Sequence, residues 1–206
     1  DEAATFLDHL TDDALGVLLR LALVTGMRRG ELLGLRWCHV SLTGGFLFVQ
    51  VSRLSIGGVT VEGPPKSRAG TRTVFVDPAT VIALRRLQLA SRPEGENSHK
   101  ALVFTDCDDR PFTPWWVSRQ FQQVIADRGL PRIRFHDLRH TSATLGLACG
   151  ESLKEVSARL GHSDIGITAD VYANVLPELA RASALRRAAL MAGSQAGPTV
   201  GQQAAS

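Results

Sequence analysis

The chain has 206 residues, 44% hydrophobic and 21% charged, with three cysteines and a formal net charge of +3. That balance excludes wholesale disorder, the length suffices for a core, and the small basic excess permits nucleic-acid binding without requiring it. Cys38, Cys107 and Cys149 form no C-x-x-C pair, which argues against a zinc ribbon or a disulfide framework and makes a reducing cytoplasm the expectation.

The N-terminus, Asp1-Glu2-Ala-Ala, has neither a basic nor an apolar leader region, and the missing initiator Met points to a fragment. The longest apolar stretch, residues 14–24, is split by Arg20 and is too short for a bilayer, so no membrane contact is expected. Charge is segregated along the chain. Residues 1–19 hold five acids and no Lys or Arg, whereas residues 20–86 hold ten Lys or Arg against Glu31, Glu62 and Asp77. A second basic cluster is Arg128, Arg132, Arg134 and Arg139.

Helical spacing of Leu15, Leu18, Leu19, Ala22 and Leu23 predicts a helix over 10–24, with Thr11 as N-cap and a break at Thr25-Gly26. A second helix is expected from Arg28 to Leu35. Segments 46–52, 58–61 and 71–76, rich in Val, Thr and Phe, read as a small three-stranded antiparallel sheet. Asp77-Pro78 starts a helix to about residue 89, and Thr113-Pro114 starts another to about residue 127. Residues 134–149 read as a helix stopped by Gly150, and Ser152 with Glu155 forms a capping box for a helix closed by Gly161. Further helices are expected around Tyr172 and over 179–191, with a disordered tail over 193–206. The fold class is therefore α+β and mostly helical.

Four clusters of residues carry chemistry. In His136-Asp-Leu-Arg139-His140, positions i, i+3 and i+4 share a helix face. The two histidines suit a zinc site, the set suits a phosphate, and a polar face beside an ion pair is the plain alternative. In Thr25-Gly-Met-Arg28-Arg-Gly-Glu31, Arg28 opens a helix where backbone donors also favour an anion, and Glu31 lies within reach to hold it. Taken alone this is an ordinary helical corner. Lys66, in Pro64-Pro-Lys66-Ser-Arg, sits on a hairpin, where it is either solvated or able to deliver a proton. His162 follows a helix-ending Gly161, and Tyr172, the single tyrosine, comes ten residues later. A helix-end contact and a core position are their plain roles.

In their order and approximate spacing, Arg28, Lys66, His136, Arg139, His162 and Tyr172 resemble the active-site set of the tyrosine recombinases, the phage integrase family. The strings TGMRRGELLGLRW, HDLRHTSATL and LGHSDIGITADVYANV look like that family's boxes, and the resemblance runs from about residue 5 to 190. Two departures, Cys38-His39 after the first box and VFVDP after the hairpin, leave the six residues untouched. The resemblance implies a catalytic domain over 1–192, with the family's N-terminal core-binding domain outside this chain. It implies that Tyr172 attacks a DNA phosphodiester to form a 3′-phosphotyrosyl bond. Arg28 and Arg139 clamp the phosphate, Lys66 is the general acid, His136 helps take the tyrosine proton, and His162 donates to a non-bridging oxygen. Neither ATP nor a metal enters, and no cofactor is expected. The partner implied is double-stranded DNA, bound by a homotetramer of the full-length protein, with the isolated fragment monomeric. A type IB topoisomerase-like nicking-closing enzyme and a non-catalytic DNA-binding module are the alternatives.

Overall fold

The computed structural model describes residues 2–65, 67–91 and 98–164, with isolated positions between 166 and 191. The segments expected to be helical around Tyr172 and over 179–191, and the expected tail, lie essentially outside the described residues.

The centre of the fold is helix α2 (Ala14–Thr25), preceded by a short α1 (Glu2–Asp8). Leu18, Leu19, Leu21 and Ala22 of α2 are all buried, so it is packed on most sides rather than along one stripe. Its N-cap is Asp13, which accepts the Gly16 N–H at 2.7 Å, not Thr11, whose hydroxyl donates to Asp13 at 2.8 Å. A charged carboxylate is the better acceptor at the positive end of a helix. Gly26 closes α2 with φ +67°, a backbone conformation that favours glycine, and a Cβ there would push on Leu160 Cδ2 at 2.5 Å. Helix α1, unforeseen in the sequence, buries Phe6 edge-on against Phe121 at 6.1 Å.

After α3 (Arg29–Leu33), five strands follow: β1 (Val40–Ser41), β2 (Phe46–Val49), β3 (Ser52–Ile56), β4 (Val59–Gly63) and β5 (Arg72–Phe75). The sheet is three-stranded and antiparallel as expected, but its order is β1-β2-β5. The strand expected at 58–61 instead pairs with β3 in a separate two-stranded hairpin. Side-chain alternation explains the choice. Leu47 and Val49 of β2 and Arg72 and Val74 of β5 point inward in one register, with Leu47 opposite Val74 and Val49 opposite Arg72. Val59 and Val61 of β4 are exposed and offer the core nothing.

Four helices complete the described chain: α4 (Pro78–Ser91), α5 (Pro114–Asp127), α6 (Asp137–Cys149) and α7 (Leu153–Leu160). Their starts follow the sequence signals. Asp77 accepts the Thr80 N–H at 3.0 Å, Thr113 accepts the Trp116 N–H at 3.2 Å, and Ser152 and Glu155 form their reciprocal box. Helix α6 begins three residues later than expected. The Asp137 carboxylate takes the Arg134 N–H at 2.7 Å and its guanidinium at 2.9 Å, which holds 134–136 as a turn and leaves His136 at the N-cap.

One large apolar core joins α1, α2, α3, the sheet, α4, α5 and the start of α6. A second, separate core of Ala143, Leu147, Val156 and Leu160 lies between α6 and α7. No helix among the described residues is long and apolar enough to cross a membrane.

Candidate active site

The site forms where the C-terminal ends of α2 and α7 meet. Three consecutive carbonyls at the end of α7, left without intrahelical partners, each accept from a different arginine. Arg72 Nε donates to Arg159 O at 2.5 Å, Arg139 Nη2 to Leu160 O at 2.8 Å, and Arg28 Nη2 to Gly161 O at a longer 3.4 Å. Arg139 also donates to Gly26 O at 2.7 Å, and Arg159 to the neighbouring Thr25 O at 3.1 Å. Residues far apart in sequence are thus drawn to one place by helix-end carbonyls. The negative end of a helix dipole favours the cations that gather there.

Glu151, which pairs with Arg159 at 2.7 Å, is only partly buried, whereas Glu31 is the buried acid of this group. It is 2% exposed. Its Oε1 accepts from Arg28 Nη1 at 2.9 Å and from Arg72 Nη1 at 3.2 Å. Its Oε2 accepts from the Arg28 backbone N–H at 2.9 Å and from Arg72 Nη2 at 2.9 Å. Burial pushes the Glu31 carboxyl up, but bonds and charge from Arg72 and Arg28 outweigh it and leave the group below its ordinary value. Arg139 is 4% exposed, whereas the Arg28 side chain is 39% exposed and open on one side.

The histidines complete the cluster. His162, half-buried one residue past Gly161, is pushed down to about 4 by burial first and then by the charges of Arg139, Arg28, Arg72 and His140. It is therefore neutral at pH 7. His136 is lowered by burial first, then by His140 and Arg139 against the opposing Asp137, with Arg28 adding a smaller share. Its ring meets that of His140 edge-on at 5.3 Å.

Of the six residues singled out in the sequence, Arg28, His136, Arg139 and His162 are brought together. Lys66 and Tyr172 lie outside the described residues. The loop after Lys66 is described, and it runs against the end of α7: a Cβ on Gly161 would meet Ala69 O at 2.8 Å. The second basic cluster does not join the site as a whole. Arg139 enters, but Arg128 donates to Val124 O and His9 O, and Arg134 pairs with Asp137. Sequence reasoning missed Arg72 and Arg159. For Arg72 a signal existed, because it alternates in phase with Val74 on a strand whose other face is polar or exposed.

The site thus lies in a mostly helical domain with a small antiparallel sheet and gathers arginines and histidines about one buried acid, a set whose chemistry suits an anion. The model of the phage integrase family matches residues 1–178, and the chain belongs to that family. The tyrosine recombinase XerC-like protein of Caldanaerobacter subterraneus subsp. tengcongensis is 30% identical over 195 residues, covering 86% of this chain and 50% of that protein. The putative prophage phiRv2 integrase of Mycobacterium tuberculosis is 32% identical over 169 residues, covering 81% and 44%. The fold is shared with the Tn1549 transposon integrase solved in complex with transposon right end DNA, at TM-score 0.75 and 23% identity, over 90% of this chain and 64% of that one. The chain spans about half the length of the curated relatives it matches.

Proposed function

We propose that residues 1–192 are the catalytic domain of a site-specific tyrosine recombinase that cuts and rejoins double-stranded DNA in the cytoplasm. The observation that carries this reading is the convergence of Arg28, Arg139, His136 and His162 around the end of α7. These are cations and neutral donors held in advance of any substrate, which suits charge building up on a phosphate.

In the proposed reaction the Tyr172 hydroxyl oxygen attacks the scissile phosphorus, and the P–O bond to the 5′-oxygen breaks. Lys66 gives a proton to that departing oxygen, and the tyrosine proton passes toward His136. The phosphate stays linked to Tyr172 as a 3′-phosphodiester, so bond energy is conserved without a nucleotide cofactor. A 5′-hydroxyl from the partner strand then attacks the phosphotyrosine and releases Tyr172. Arg28 and the buried Arg139 stabilise the extra charge on the non-bridging oxygens, and neutral His162 donates one N–H to the same group. In the full-length protein four copies assemble on two DNA sites, each cutting one strand, while this chain alone is monomeric.

The test uses a nicked suicide duplex that traps the covalent intermediate. The chain is expected to form an SDS-stable protein–DNA adduct, and Tyr172→Phe is expected to form none. Because Tyr172 is the single tyrosine, an adduct that persists in Tyr172→Phe would sink the assignment.

A further inference from the structure

We propose that Arg72 is the positioning residue of the candidate phosphate clamp: through the Glu31 carboxylate it orients Arg28, and through the Arg159 carbonyl it fixes the end of α7 that carries His162. The proposal rests on the recombinase reading above and assigns a role to a residue outside its six.

The geometry has two parts. Arg72 meets Glu31 as a fork on a fork, Nη2 to Oε2 at 2.9 Å and Nη1 to Oε1 at 3.2 Å, while its Nε turns the other way to Arg159 O at 2.5 Å. A further bond from Nη1 to Gly70 O at 2.8 Å ties the same guanidinium to the loop that follows Lys66. One planar group therefore joins α3, the Lys66 loop and α7. Lysine, a point charge with a flexible stem, cannot hold those directions together.

The second part is charge. Two guanidinium groups share one buried carboxylate, so the trio Arg28, Arg72 and Glu31 carries a net +1. Without Arg72, Glu31 pairs with Arg28 alone, and the pair that faces the phosphate becomes neutral. Arg28 is then both less fixed and electrostatically cancelled. Arg72 itself is 9% exposed, so it acts from behind the clamp.

The experiment compares the parent chain with Arg72→Met, Arg72→Lys and the double variant Arg72→Met/Glu31→Gln. Three quantities are read: single-turnover cleavage of the nicked duplex, DNA affinity, and order of the Arg28 Nε–Hε group by heteronuclear NMR. Arg72→Met is expected to cleave about 10²-fold more slowly, the size typical of losing one preorganised donor, with a much smaller change in affinity. Its Arg28 Nε–Hε signal should become mobile. Arg72→Lys should recover only a small part of the rate. The double variant should recover a larger part, because removing the carboxylate that cancels Arg28 returns the full charge to that guanidinium. Parental cleavage by Arg72→Met, or an Arg28 side chain as ordered as in the parent, overturns the proposal. If Arg72→Met does not fold, Arg72→Lys carries the same readouts. A parent chain that forms no adduct refutes the recombinase reading, and Arg28 order still decides the role of Arg72.

Discussion

His162 shows how one residue reports on the whole cluster. Its imidazole sits at about 4 rather than the ordinary 6.5 because the ring is half-buried and faces Arg139, Arg28, Arg72 and His140. Between pH 6.5 and about 4 the unfolded chain binds a proton at this position and the folded chain does not. The stability contributed by the neutral ring is complete above pH 6.5 and is lost as pH falls through that window. His136, also lowered, adds a loss of the same sign. Urea denaturation at pH 7 and pH 5 should therefore show a smaller drop for His162→Gln than for the parent. Equal drops in the two proteins would remove His162 from the titration. At that value the ring is neutral near pH 7 in the chain alone, in keeping with the donor role proposed for it at the phosphate.

Among the elements, the turn that ends α7 is tightly constrained. Gly161 has φ +70°, and a Cβ there would lie 2.8 Å from Ala69 O and 2.9 Å from Arg72 Nη1. Gly161→Ala combines left-handed strain of about 1–2 kcal/mol with a push on Arg72. A melting temperature lower by roughly 2–4 °C per kcal/mol is expected for a chain of this size. An unchanged melting temperature would mean that the loop yields to a methyl group without cost. Much of this architecture was legible in the sequence because caps are local. Asp77, Thr113, and Ser152 with Glu155 each act on a backbone N–H three residues on. The sheet partners and the Arg72–Glu31 pair were not legible, because a contact across 41 residues is chosen by packing rather than by neighbours. His136 falls between the two cases. Helical spacing correctly put it beside His140, although it caps the helix rather than lying within it.

At the scale of the molecule, the two apolar cores differ in size. The larger spans most of the fold, while α7 shares with α6 a core of four buried residues. Arg159 binds Thr25 O and Ser142, while Arg72, Arg139 and Arg28 grip the carbonyls after it. Helix α7 is thus fastened to the body largely by directional polar bonds to water-competent groups, with little greasy area behind them. Bonds of that kind are each worth about 1.5–3 kcal/mol net when charged, because folding exchanges them for bonds to water. Segments with few apolar contacts open at lower free energy than the body that carries them. Amide hydrogens of α7 should exchange with deuterium well before those of α2, and Arg72→Met should hasten α7 while leaving α2 unchanged. Equal protection of the two helices would show a single cooperative unit. Exchanging first, helix α7 would behave as a latch that releases as a piece while the rest stays folded, with the rate of release set by side-chain charge rather than by buried surface.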